Sequence, residues 1–238
     1  GAHRPGEGEH SEFTYDAPVW VVPMHQLGDA LDRAWTNHKV ALLVDDSADR
    51  SVDSFFLYCP STILEMKRYV VGVRTGAMTL GAALEDMRRQ LVVAMRHGHY
   101  LVVRMGTCAA DMNTRFTADA FFPMVLLVDS KAVPVGENIV GTYMGGVLRP
   151  EDIQAGVFTV AEGFRVVVTS NFSPADYDRY LRPSMHIDLM QPIRVATQTS
   201  LHDGRAGALT ADEGGASAAD RAKQRQLDGD RMTLFLQS

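Results

Sequence analysis

The chain has 238 residues, with 23 lysines and arginines against 29 aspartates and glutamates, which gives a formal net charge of -6 at pH 7. This length allows one α/β domain or two small ones, and the 46% hydrophobic content suffices for a core. The acidic balance argues against general nucleic-acid binding, which needs a basic face. No apolar run reaches the roughly 20 residues of a membrane helix. We therefore expect a cytoplasmic protein with neither nucleic acid nor membrane among its partners.

The composition divides the chain into three parts. Residues 1–16 are polar and predict a flexible N-terminal arm, residues 17–196 carry the pattern of an α/β domain, and residues 197–238 form a low-complexity tail. The tail ends in an apolar segment, Met232 to Leu236, which we expect to dock on the domain or on a partner. The cysteines, Cys59 and Cys108, predict buried, unreactive thiols in a reducing compartment.

Within the α/β domain, short apolar runs alternate with amphipathic stretches, which predicts a mostly parallel sheet with helices on both faces. The predicted strands are Val19–Val22, Val40–Val44, Tyr69–Val73, His99–Val103, Phe164–Val168 and Ile187–Met190. The predicted helices are Leu27–Trp35, a region holding Phe55, Phe56, Ile63 and Leu64, the stretch from Leu84 that ends at Gly98, and 174–181 with Ser173 as its N-cap. The run Met124–Val128 fits a strand or a buried helix, and residues 133–160 are interpreted as a hairpin-like insertion.

The polar cluster Thr169-Ser170-Asn171 follows the most strongly β-branched run, at the strand end where open α/β sheets bind ligands. Asn171 there could orient a water or a phosphate, or cap the next helix, and capping is the favoured reading.

A mononucleotide site needs a glycine-rich loop with a lysine, and an acid that holds magnesium. The loop in the expected place, residues 45–51, has neither glycine nor lysine, and its three aspartates would repel a triphosphate. We expect Ser47 and Ser51 to cap the helix that follows. Arg104 follows the third strand, where an acid would be needed. The histidines in His97-Gly98-His99 fit a helix end better than a metal site.

Four segments in this order resemble one known family. They are Ala41–Ala48, Leu91–Arg104, Phe164–Pro174 and Ile187–Val195. Together they resemble the fifth AAA+ module of the dynein heavy chain motor, over about residues 26–196. The resemblance implies a P-loop NTPase-like (AAA+-like) fold with a mostly parallel sheet and helices on both faces. It departs from the family at Arg104, at the loop 45–51, and in lacking the helical lid after residue 196.

That module of dynein is thought not to turn over ATP, so the resemblance implies a non-catalytic structural or interaction module with protein partners, in a cytoskeletal or axonemal setting. No cofactor is expected on this hypothesis. One alternative is a nucleotide-binding switch that holds ATP or ADP with Ser47, Arg50, Asn171 and Arg182. Another is an α/β enzyme with a small-molecule site at the same sheet edge. The sequence leaves the partner and the oligomeric state open.

Overall fold

The structure is a computed structural model, and it describes residues 18–45, 47 and 50–196. Within this part of the chain, six strands form one parallel sheet in the order β1-β6-β2-β5-β4-β3. The strands are β1 Trp20–Pro23, β2 Ala41–Val44, β3 Ser61–Glu65, β4 Tyr100–Gly106, β5 Arg165–Ser170 and β6 Gln191–Ala196. The predicted α/β class with a parallel sheet is confirmed.

Helices cover both faces of this sheet. The α-helices are α1 Leu27–Thr36, α2 Ser51–Tyr58, α3 Met66–Thr75, α4 Leu80–His97, α5 Val125–Val128 and α6 Tyr177–Leu181. Short 3-10 helices occupy Met24–Gln26, Tyr143–Val147, Pro150–Asp152 and Ile187–Leu189. The predicted arm at 1–16, the tail at 197–238 and its apolar end Met232–Leu236 lie outside the described residues.

Two apolar cores separate the layers. On one face, α1 and α2 bury their apolar sides against the sheet through residues such as Leu31 and Phe56. On the other face, α3, α4, α5 and α6 pack with much of the segment between β4 and β5. Strand β5 lies inside the sheet, and Val166 to Ser170 are all buried. This burial on both faces is what its continuous β-branched run predicted.

Helix α4 confirms the prediction for the stretch that ends at Gly98. Thr79 caps its first turn by accepting a hydrogen bond from the Ala82 N–H at 3.1 Å, and Gly98 ends it in the left-handed conformation at φ 68°. A Cβ atom at Gly98 would lie 2.0 Å from the carbonyl oxygen of Glu162. Glycine is therefore required both by the backbone conformation and by the close approach of the chain before β5.

Two predictions between Pro60 and Val73 are wrong. The predicted strand Tyr69–Val73 lies in helix α3, and Ile63 and Leu64, predicted as helical, belong to strand β3. In β3 the burial alternates, with Thr62 and Leu64 inside, as a strand requires. In residues 69–73, the packing of α3 in the fold outweighs the strand propensity of the valines.

The end of the domain also differs from the prediction. Ile187–Leu189 forms a 3-10 helix, and the last strand, β6, begins only at Gln191. Strand β6 contains Pro192, which gives no N–H to the sheet. The Gln191 N–H donates to the Val40 carbonyl on the β2 side at 2.8 Å, so the Pro192 nitrogen faces the β1 side, where pairing starts one residue later. Proline is therefore tolerated there.

The chain after β5 forms a shorter helix than expected. The predicted helix over 174–181 is reduced to α6, with Asp176 rather than Ser173 at its N-cap position. The Ser173 carbonyl accepts hydrogen bonds from the N–H groups of Asp176 and Tyr177, both at 2.9 Å. The Ser173 hydroxyl donates to the Asp176 carboxylate at 2.7 Å. Residues 173–176 therefore make a turn that leads into α6.

Between β4 and β5 the predicted hairpin-like insertion is confirmed only in part. Its ends run antiparallel, with the Gly136 N–H donating to the Val160 carbonyl at 2.8 Å and the Ile139 N–H to the Phe158 carbonyl at 3.0 Å, but they form no regular strands in the described chain. Residues 133–160 form the two 3-10 helices and two isolated antiparallel bridges, Asn138 with Thr159 and Gln154 with Val157. The run Met124–Val128, left open between strand and helix, contains the short buried helix α5.

Candidate functional site

The carboxyl ends of β2 and β5 meet at the point where the connections change sides of the sheet. The helix after β2 packs in one core through Val52, whereas the helix after β5 packs in the other through Leu181. Ligands of open α/β sheets bind in the crevice that such a switch point leaves. The predicted site residues Ser47 and Asn171 both lie there.

Asp45, the first residue after β2, is at the centre of this crevice. Its side chain is buried, with 2% of the residue exposed. One carboxylate oxygen accepts the Ser47 N–H at 3.0 Å and the Ser47 hydroxyl, and the other accepts the Val52 N–H at 3.0 Å. The carboxylate is thus held by hydrogen bonds from the loop and from the first turn of α2.

Side chains of the preceding loop accept hydrogen bonds from the first two N–H groups of α2. Arg50 precedes the helix in the left-handed conformation at φ 49°, and the Ser47 hydroxyl accepts a hydrogen bond from the Ser51 N–H at 3.3 Å. The unpaired N–H groups and the dipole of a helix N-terminus attract anions, which is how phosphates bind there in nucleotide sites. In this protein the Asp45 carboxylate supplies that anion. Ser47 accepts an N–H of the first turn, as the capping prediction requires, but Arg50 holds the N-cap position and Ser51 is the first helical residue.

Asn171 joins the ends of three strands. Its side-chain amide donates to the Asp45 carbonyl at 2.9 Å, and its N–H donates to the Gly106 carbonyl at 2.8 Å. The register between β4 and β5 shifts between Arg104 and Gly106, a bulge of the kind found beside functional sites. Asn171 does not cap α6, so the favoured sequence reading of this residue is wrong. Its amide instead fixes the loop that carries Asp45.

The two arginines of the predicted site are placed differently. Arg50 is exposed and lies in the same loop as Ser47, whose carbonyl accepts the Arg50 N–H at 3.3 Å. Arg182 follows α6 and forms an ion pair with Asp178, with the guanidinium Nε 3.0 Å from a carboxylate oxygen. The structure therefore brings Ser47 and Asn171 together through Asp45.

Arg104, which stands where the resemblance expects a magnesium-binding acid, makes an ion-pair cluster of its own. Its guanidinium Nε lies 3.1 Å from an Asp53 carboxylate oxygen, and a terminal nitrogen contacts Glu65. The cluster links α2, β3 and β4 at the carboxyl edge. Both acids of the cluster, Asp53 and Glu65, are therefore paired with an arginine of the protein itself.

Sequence reasoning identified Ser47 and Asn171 but not the role of Asp45, because the aspartates of this loop were considered only as groups that would repel phosphate. One available signal was the Asp-x-Ser spacing of Asp45 and Ser47, which is typical of a side chain that accepts from the backbone two residues on.

The described cavity lies elsewhere. It has about 310 Å³ and is lined by Arg96, Asp152, Gln154, Val157, Phe158 and Thr159. Arg96 belongs to the last turn of α4, so this cavity opens near the edge where the strands begin, opposite the crevice with Asp45. The Arg96 guanidinium lies over the Phe158 ring and donates to the Asp152 carbonyl at 2.8 Å.

Both cysteines lie in the described part of the chain. Burial raises the pKa of the Cys59 thiol and of the Cys108 thiol, although Lys67 partly offsets the effect at Cys108. Both are free and half-buried, and a raised pKa makes a thiol less reactive. Among residues 18–45, 47 and 50–196, no group of three or more His, Cys, Asp or Glu side chains is arranged to hold a metal ion.

Comparison of the chain with protein-family models, with curated proteins and with solved structures gave no match. None of the helices in the described ranges has the length and apolar character that crossing a membrane requires. The class that the structure itself defines is a parallel α/β domain of six strands with helices on both faces.

Proposed function

We propose that this chain is a non-catalytic AAA+-like module that acts as a structural or interaction component, in the cytoplasm and in a cytoskeletal or axonemal setting related to dynein. The observation that carries the proposal is the Asp45 carboxylate at the N-terminus of α2. A phosphate bound there would have to displace a buried anion that accepts three hydrogen bonds. Two like charges in one such site repel strongly.

The order of the strands supports the AAA+-like part of the proposal. If the edge strand β1 is left aside, β2 is the first strand of the sheet along the chain. It lies between β6, which is the last strand, and β5, which is the strand before that. AAA+ modules place their first core strand in the same way. This support is fold-level analogy, and a fold by itself does not assign a function.

The proposal that the chain is an interaction module rests on two exposed apolar side chains. Leu57 and Tyr58 are adjacent, and 74% and 91% of their surfaces are exposed. Neighbouring exposed apolar side chains are typical of surfaces that contact other proteins.

The test is thermal unfolding with and without millimolar ATP or ADP, each with magnesium. We expect no shift in Tm, because the Asp45 carboxylate already accepts an N–H at the N-terminus of α2, where a phosphate would bind on this proposal. A ligand present at about 100 times its Kd would stabilise the fold by about 2.7 kcal/mol, which is easily measured. A magnesium-dependent shift that disappears in Arg50→Ala or Asn171→Ala would reject this proposal in favour of the nucleotide-binding switch. Arg89→Ala, which alters an exposed ion pair on α4 outside the predicted nucleotide site, is the control variant.

The small-molecule enzyme has one observation in its favour, the cavity beside Arg96 and Phe158. That cavity opens at the edge opposite the one where the sequence predicted the enzyme site. A Tm shift caused by a small metabolite and removed by Arg96→Ala would support this second candidate.

A further inference from the structure

Strand β3 is one end of the sheet, and its outer edge is unpaired in the described structure. The Tyr100 N–H donates to the Pro60 carbonyl at 2.9 Å, which fixes the phase of the β3–β4 ladder. In a parallel ladder alternate residues bond to a given neighbour, so the main chains of Thr62 and Leu64 face β4. The N–H and C=O groups of Ser61, Ile63 and Glu65 face outward. We call this row the β3 edge.

The β3 edge lacks the features that protect exposed strands from pairing. It spans five residues, Ser61–Glu65, without proline or lysine, and its one charged residue, Glu65, is paired with Arg104. The opposite edge strand, β1, is shorter, follows Pro18 and ends at Pro23. Prolines, short length and lysines are the usual means of blunting an edge. Within the described residues, one edge of this sheet is therefore blunted, and the other is open.

The most exposed large apolar side chains in the described chain lie beside this open edge. Leu57 and Tyr58 end helix α2, and only Cys59 and Pro60 separate them from β3. The buried Phe56 and its carbonyl, which accepts the Ser61 hydroxyl hydrogen bond at 2.6 Å, fix the helix end against the strand. An apolar pair next to an unpaired edge is suited to strand addition, in which main-chain bonds give affinity and side chains add contact area.

We propose that the β3 edge, with Leu57 and Tyr58, is a homodimer interface in which β3 of a second copy pairs antiparallel to β3 across a two-fold axis at Ile63. This pairing is self-complementary. Ser61 then lies opposite the second copy's Glu65, and Thr62 lies opposite the second copy's Leu64, so no like charges face each other.

The apolar pair fits the same arrangement. Antiparallel pairing brings the start of β3 in one copy to the end of β3 in the other, and it keeps each face of the sheet on the same side in both copies. Leu57 and Tyr58, which precede the start of β3, then lie beside the end of the second copy's β3. The inference does not depend on the proposed function, since dimer formation and nucleotide binding are measured separately.

The experiment is sedimentation velocity of the full chain at concentrations from about 1 to about 200 µM, a range that detects a Kd in the micromolar region. The variants are Ile63→Pro, which removes an outward N–H, and the double variant Leu57→Ser/Tyr58→Ser, which removes exposed apolar surface. Ile63→Val keeps the N–H and the branched side chain, and Val157→Ser removes a distant exposed valine, so these two are the matched controls.

We expect the unchanged chain and both controls to dimerise with the same Kd, and both test variants to raise that Kd at least tenfold. Far-UV circular dichroism and Tm at low concentration check that each variant is folded. If Ile63→Pro fails to fold, the double variant still tests the dimer interface. Leu57 and Tyr58 lie outside both cores, so replacing them should leave the fold intact. A chain that stays monomeric at about 200 µM, or a dimer that neither variant weakens, would overturn the proposal.

Discussion

The side-chain amide of Asn171 donates a 2.9 Å hydrogen bond to the main-chain carbonyl of Asp45, across the switch point of the sheet. The bond joins the ends of β5 and β2 and holds the loop whose carboxylate occupies the start of α2. The residue that sequence reasoning selected as a possible phosphate contact therefore positions a carboxylate that accepts an N–H of the first turn of α2.

Asn171→Asp is expected to destabilise the domain more than Asn171→Ala does. The alanine variant loses a part-buried hydrogen bond, which costs about 1–2 kcal/mol. The aspartate variant loses the same bond, because a carboxylate has no hydrogen to donate. In addition, its negative oxygen lies against the Asp45 carbonyl oxygen, and the two repel each other. Urea unfolding at pH 7 measures both changes. The aspartate variant should recover part of its loss at low pH, where its carboxyl group is protonated and donates again.

A charge-matched control separates the bond from the effect of added negative charge. Gln154 is exposed, so Gln154→Glu adds the same charge away from the crevice and should change the free energy of unfolding by less than about 0.5 kcal/mol. Equal losses for Asn171→Asp and Asn171→Ala would show that the amide does not act as the donor described.

The parallel sheet could be predicted because apolar runs of β-branched residues alternate with amphipathic stretches, as around Val166 and in α4. The order of strand and then helix between Pro60 and Val73 could also have been predicted from the sequence. Met66, Tyr69, Val70 and Val73 have the i, i+3, i+4, i+7 spacing of one helix face, which the strand propensity of the valines obscured.

Other features could not be read from the sequence. The Asp45 spacing could suggest a turn, but only the fold shows that Asn171, 126 positions later, donates to its carbonyl. Arg88 reaches Asp152 across 64 positions, in a segment without a periodic pattern. Such contacts depend on how the segment between β4 and β5 packs, and no local rule specifies that packing.

Arg88→Ala is expected to cost about 3–5 kcal/mol of stability, because it breaks a buried ion-pair network. Arg88 is 1% exposed, and its guanidinium contacts the carboxylates of Glu85 and Asp152 and the Val147 carbonyl. Its neighbour Arg89 is the matched control, since it pairs with the same Glu85 but its side chain is 69% exposed. Arg89→Ala should cost less than about 1 kcal/mol.

Denaturant unfolding of the two alanine variants provides this comparison. The difference between the two losses in unfolding free energy tests whether the Arg88 network holds the segment between β4 and β5 on α4. Similar small losses for both arginines would mean that the segment is held by its apolar contacts alone, through residues such as Val147 and Phe158.

The same network predicts how stability depends on pH. The hydrogen bond from Arg88 is the main cause that lowers the pKa of the Glu85 carboxyl below its ordinary value of 4.5, against an opposing effect of burial. A carboxyl whose pKa is lower in the folded state stabilises the fold above its unfolded pKa. That contribution is lost as the pH falls through the folded pKa. The free energy of unfolding should therefore fall between pH about 5 and about 3.

Glu85→Gln isolates this contribution. The variant should be less stable than the unchanged chain at pH 7, and the difference should shrink as the pH falls, because the unchanged chain then loses its charge at position 85. Urea unfolding at a series of pH values measures the two curves. Asp111 also has a lowered pKa, chiefly through the Thr114 hydroxyl hydrogen bond, so Asp111→Asn is the parallel variant outside the network. Parallel curves for Glu85→Gln and the unchanged chain would exclude the Arg88–Glu85 bond as a source of acid sensitivity, and a gap that narrows on acidification would locate that sensitivity in the network.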